Sequence, residues 1–146
     1  MGIKTYTASA EKIEGLKIKA TARNFSVIID EPEEQGGTNA GMNPIELALC
    51  SISSCQVITA SIFADFYGIP LEEIKVEVVG EMDSEGFGNP DIRSGIQNMH
   101  FKFIIKSKAP RFQIEELIKA VEKECPVGDS FKNGVKFSAP EIILQE

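Results

Sequence analysis

The uncharged run from Leu47 to Ala64 constrains the fold of this chain more than any other feature. It follows Asn43-Pro44 and Glu46 and stops short of Gly68. Asn at the N-cap, Pro at the first helical position and Glu at the third form a capping box, and the glycine supplies a stop. The punctuation predicts one helix from about Pro44 to Tyr67. Its length alone would suit a membrane span, but Ser51, Ser53, Ser54, Gln56, Thr59 and Ser61 make it too polar. The expectation is a helix at the centre of a soluble core.

The flanks read as strands and one further helix. From about Tyr6 to Asp30, apolar residues alternate (Leu16, Ile18, Ala20, then Phe25, Val27, Ile29) with breaks near Glu14-Gly15 and Arg23-Asn24. That predicts two or three antiparallel strands. Residues 31–41 hold one proline and three glycines and read as a loop. Beyond Ile69-Pro70, Ile74 to Val78 alternates, and a second strand is expected from about Ile96 to Lys108 after an exposed connection from Glu81 to Gly95. Ile114, Leu117, Ile118 and Val121 lie at helical spacing after Pro110, so a second, amphipathic helix should run until Cys125-Pro126 ends or redirects it. Asn133-Gly134 signals a turn before a last strand, Val135 to about Leu144. No repeat, low-complexity tract or linker divides the 146 residues, so a single domain is expected over 1–146.

Charge and residue usage narrow the function. The net charge of −7, with arginine only at Arg23, Arg93 and Arg111, leaves no footprint for nucleic acid or anionic lipid. The opening Met1 to Tyr6 has no apolar signal region, which points to the cytoplasm. His100 is the sole histidine and sits in an alternating segment, so it reads as a strand side chain. Without CxxC spacing or a second histidine, no metal site is expected. The Gly36 to Gly41 loop lacks the Lys-Ser/Thr ending of a phosphate cradle and reads as turn geometry, so no cofactor is expected.

Three cysteines in a reducing compartment point to thiol chemistry before structural stapling. Cys55 lies inside the uncharged run, where a thiol is normally inert. Cys125 lies in Glu124-Cys125-Pro126, before a proline that can open a helix, which is the setting of an activated thiol. Each also has an ordinary reading: Cys55 as a small core side chain, Cys125 as a residue that redirects the chain, Glu46 as a cap and Arg23 as a strand-edge cation. Cys50 is about 140° around the helix from Cys55 and is expected to pack in the core.

Taken in order, Gly36-Gly37-Thr38-Asn39-Ala40-Gly41-Met42-Asn43-Pro44-Ile45-Glu46, then Ser53-Ser54-Cys55, then Glu124-Cys125-Pro126-Val127-Gly128-Asp129 resemble the OsmC/Ohr family. The resemblance implies an α+β fold, with antiparallel sheets around a long central helix, in an intertwined homodimer. It also implies a cysteine-dependent peroxidase acting on organic hydroperoxides or hydrogen peroxide, with electrons from a dithiol reductant such as a lipoyl or thioredoxin-like protein. On that resemblance Cys55 attacks and Cys125 resolves, Arg23 stabilises the thiolate and Glu46 holds the arginine, with Arg93 as the substitute cation. An unbroken helix would put Glu46 and Cys55 about 13 Å apart along its axis and on opposite faces, so a site using both would draw Glu46 from a second subunit. Two other functions are compatible with the same residues: a non-enzymatic module binding small hydrophobic ligands, and a redox-sensing dimer.

Overall fold

A computed structural model describes residues 2–145. The architecture is α+β, and the chain separates into two compact units, one up to Cys50 and one from Ser51 onward.

In the first unit, strands β1 (Ser9–Glu14), β2 (Lys17–Ala22) and β3 (Phe25–Ile29) form an antiparallel meander in the order β1-β2-β3. Both turns fall at the breaks in alternation. Gly15, at φ +57°, turns β1 into β2, and Arg23-Asn24 joins Ala22 to Phe25 with Arg23 itself at φ +55°. A left-handed conformation at a residue with a Cβ costs on the order of 1–2 kcal/mol. The Arg23 guanidinium lies over the Phe25 ring, 4.9 Å from its centroid.

After β3 the chain turns sharply, and Asp30 organises the turn. Its buried carboxylate accepts from the backbone N–H groups of Glu31 (2.8 Å), Thr38 (3.2 Å) and Ala40 (3.1 Å) and from the Thr38 hydroxyl. The Thr38 hydroxyl leads these bonds, which together outweigh the effect of burial and lower the carboxyl from 3.8 to about 2. Residues 31–41 fold back closely enough to leave no room for some side chains. A Cβ at Gly37 would strike the Glu31 carbonyl, and one at Gly41 would strike the carbonyl of Ile28.

Helix α1 runs unbroken over Pro44–Tyr67, and the division between the units falls inside it. Its start is a reciprocal capping box: Glu46 N–H donates to Asn43 Oδ1 and Asn43 N–H to Glu46 Oε1, each at 2.8 Å. Gly68, at φ +69°, ends it. By length and composition alone α1 could cross a membrane. Its buried positions are Ile52, Gln56, Thr59, Ala60 and Ala64, a stripe at helical spacing.

In the second unit, β4 (Glu73–Met82) and β5 (Ile96–Lys106) form an antiparallel ribbon. Cross-strand pairs Ile74–Ile105, Val76–Phe103 and Val78–Phe101 make one apolar face. Glu77 pairs on the other face with Lys102 and with neighbouring Lys75. Helix α2 (Arg111–Glu124) buries Leu117 and Val121 completely, as its spacing requires, and α3 (Pro126–Asn133) follows after a single residue.

Two expectations need correction. Residues 135–144 form no strand among the described residues, and Val135, Phe137, Ile142, Ile143 and Leu144 stand exposed. Apolar alternation supplies the side chains of a strand, but a strand also needs an edge to pair with, and neither sheet of this chain pairs with that segment. Cys50 is exposed instead of packed in the core, with Sγ 3.8 Å from Met42 Sδ. It is two residues out of phase with the buried stripe at Ile52, nearly the far side of the helix.

Two outcomes test the loop. Gly41→Ala should lose about 1–3 kcal/mol in urea denaturation, because backbone must move to admit the methyl group. The Asp30 contribution is fully present above its unfolded value near 4 and is lost as pH falls toward about 2. Urea midpoints of wild type and Asp30→Asn should therefore differ most at neutral pH and converge as the pH drops below about 4.

Candidate active site

The second unit brings two thiols together from residues far apart in sequence. Cys55 projects from the middle of α1 and is half-buried, and its Sγ lies 4.0 Å from Thr59 Oγ1 one turn on. Cys125 occupies the single residue between α2 and α3. Proline disfavours helical geometry in the residue before it, and Cys125 is accordingly extended at φ −62°, ψ 112°. It closes one helix and opens the next: its N–H donates to the Val121 carbonyl at 3.0 Å, and its own carbonyl accepts from Asp129 N–H at 2.9 Å. The Gly128 N–H donates to its sulfur at 3.4 Å.

The local environments of the two sulfurs differ. Cys125 is only 1% exposed. Burial pushes its thiol above the ordinary range, and the neighbouring Cys55 pushes it further, both by hydrogen bonding and by charge. The N–H groups of Gly128 and Val127 pull the other way without reversing the shift. A helix N-terminus in front of a buried thiol is thus too weak here to make it a thiolate. Cys55 is the more accessible of the pair.

A pocket of about 670 Å3 opens beside Cys125. Ile52, Phe101, Phe103 and Phe131 supply apolar surface, and Gln56, Arg93 and His100 supply polar groups. Arg93, from the connection between β4 and β5, is exposed and lines this pocket. Arg23 and Glu46 belong to the first unit, where they occupy the β2–β3 turn and the α1 cap described above. A smaller cavity of about 480 Å3, lined by Tyr67, Ile69 and the Glu116, Lys119 and Lys123 side of α2, includes no cysteine. Among the described residues, no group of three His, Cys, Asp or Glu side chains is placed to hold a metal ion.

The sequence reading overlooked Gln56 and Asp30. The signal for Gln56 was its place in phase with Ile52 and Ala60 on the buried stripe, where a carboxamide is out of character. Asp30 carried no such signal, since its ligands are mostly backbone N–H groups eight to ten residues on.

The fold of a long helix with antiparallel sheets has solved counterparts. An OsmC-like protein from Mycoplasma pneumoniae superposes with a TM-score of 0.79 at 23% identity, covering 88% of each chain. An organic hydroperoxide resistance protein OsmC from Legionella pneumophila matches at TM-score 0.70 and 17% identity, over 92% of this chain and 93% of that one. An organic hydroperoxide resistance protein from Elizabethkingia anophelis matches at 0.70 and 17%, over 90% of each. At these identities the likeness is one of fold. No curated protein sequence matches significantly. The OsmC-like protein family profile does match, over residues 37–139, and the chain belongs to that family.

The contrast between the thiols has a direct chemical readout. When an alkylating reagent is followed residue by residue by mass spectrometry, Cys125 should label more slowly than Cys55. The pH midpoint of Cys125 labelling should lie above that of an ordinary thiol, because its proton is held more tightly.

Proposed function

We propose that this protein is a thiol-dependent hydroperoxide reductase, with Cys55 the attacking and Cys125 the resolving sulfur. The observation that carries this reading is the meeting of the two cysteines in the second unit, one accessible and one buried and held protonated. Attack needs an accessible thiolate, whereas resolution needs a second thiol waiting in contact.

In the first step the Cys55 thiolate attacks the terminal oxygen of the hydroperoxide. The S–O bond forms as the O–O bond breaks, sulfur gives up two electrons, and the departing alkoxide takes a proton to leave as an alcohol. Cys125 then attacks the Cys55 sulfenic acid, so that a disulfide and one water form. An external dithiol, of the lipoyl or thioredoxin-like kind, returns both cysteines to thiols and is itself oxidised to a disulfide. A fixed cation would keep the Cys55 thiolate charged. Family resemblance assigns this to Arg23 held by Glu46, while Arg93 is the arginine that lines the pocket.

The active form in this proposal is a homodimer in the cytoplasm. Ile58, Ile62 and Phe66 stand exposed on α1, and the C-terminal residues 135–144 present five large apolar side chains to solvent. Apolar surface of this extent is characteristic of an interaction face.

Anaerobic protein given one equivalent of cumene hydroperoxide should lose two thiols, and an added dithiol should restore them. Sustained peroxide consumption should vanish in Cys55→Ser, while Cys125→Ser should accumulate a sulfenic acid that dimedone traps. A reaction that stops after one round despite the dithiol would identify a redox sensor. Wild type that loses no thiols would identify a binding module.

A further inference from the structure

The thiol pair does not account for every buried group beside the pocket. Gln56 is 4% exposed, and its Oε1 is buried with no hydrogen-bond partner among the described residues. A dry, unpaired acceptor is disfavoured, and a leucine would fill the same place on the stripe without that penalty. The carboxamide lines the pocket that reaches Cys125, and it immediately follows Cys55 on α1. Two donors around the same pocket are turned elsewhere: Lys132 Nζ donates to the Glu122 carbonyl at 3.0 Å, and Gln97 Nε2 to the Arg93 carbonyl at 3.4 Å.

The position therefore asks for a donor carried in by a ligand. A hydroperoxide has one, the O–H on its terminal oxygen, which is the oxygen a thiolate attacks. We propose that Gln56 Oε1 accepts the hydrogen bond of that O–H and so orients the O–O bond toward the sulfur pair, while Ile52, Phe101, Phe103 and Phe131 take the organic body. This assignment rests on the hydroperoxide reading above. During attack the hydroxyl hydrogen stays on the transferred oxygen, so the same acceptor holds the S–OH of the sulfenic acid after the alkoxide has left and been protonated by water.

Gln56→Met keeps the length of the side chain and removes the acceptor; Gln56→Leu is a second apolar replacement should the first fail to fold. Methyl methanethiosulfonate, which modifies thiolates and has no hydrogen-bond donor, serves as the control reagent. Cys55 oxidation by cumene hydroperoxide and by hydrogen peroxide should slow about tenfold in the variant, with Cys55 modification by the control reagent within about twofold of wild type. Unchanged peroxide rates would overturn the assignment. So would an equal slowing of both reactions, or a loss of dimer, since either would mean that Gln56 is structural or paired across a subunit interface. Wild type that reacts with the control reagent but with neither peroxide would remove the hydroperoxide reading itself, and this assignment with it.

Discussion

The break between α2 and α3 at Cys125 is the constraint on which the candidate site depends. Pro126 has no N–H to donate and disfavours helical geometry in the residue before it, so the backbone must leave the helix at Cys125. That single extended residue ends α2, whose Leu117 and Val121 are fully buried, and starts α3. The sulfur is thereby fixed at a corner and not on a rotating helical face. With its position set from both sides, Cys55 needs only to come from one stretch of α1 to meet it.

The same corner gives two identical side chains different environments. Burial and the adjacent sulfur keep Cys125 protonated, even though a backbone N–H points at it from the start of α3. Helix N-termini stabilise anions, but a short helix facing a desolvated thiol does not offset the loss of water. Cys55 remains accessible because it lies one position off the buried stripe that Gln56 occupies. One residue along the helix is thus the difference between a half-exposed thiol and a buried carboxamide. In the first unit, a comparable economy holds the glycine-rich loop, where one carboxylate gathers three N–H groups and a hydroxyl.

Several elements could be read from the chain because their causes are local. The Asn43-Pro44-Ile45-Glu46 cap and Gly68 bounded α1 correctly, since caps act through hydrogen bonds within one turn. The turns at Gly15 and Arg23-Asn24, the Ile74 and Ile96 strands and the Leu117 face of α2 follow from periodicities of two and 3.6. The segment after Asn133 has strand-like alternation and no strand, because pairing depends on a partner edge outside the segment. Cys50 and Cys55 share a helix and an apolar neighbourhood, and only the phase of the buried stripe separates the exposed thiol from the one beside Cys125.

By itself, then, the sequence determined the bounds of α1 and α2, the strand periodicities and the family motifs, all of which act through neighbours within a few residues, while α3 was not legible in it. The tertiary structure decided which thiol is buried, that Arg93 and Gln56 share a pocket with Cys125, and that Asp30 is the anchor of the loop. Those facts depend on solvent exclusion and on distances between groups far apart along the chain. Neither quantity is encoded in the order of residues until the core has closed around them.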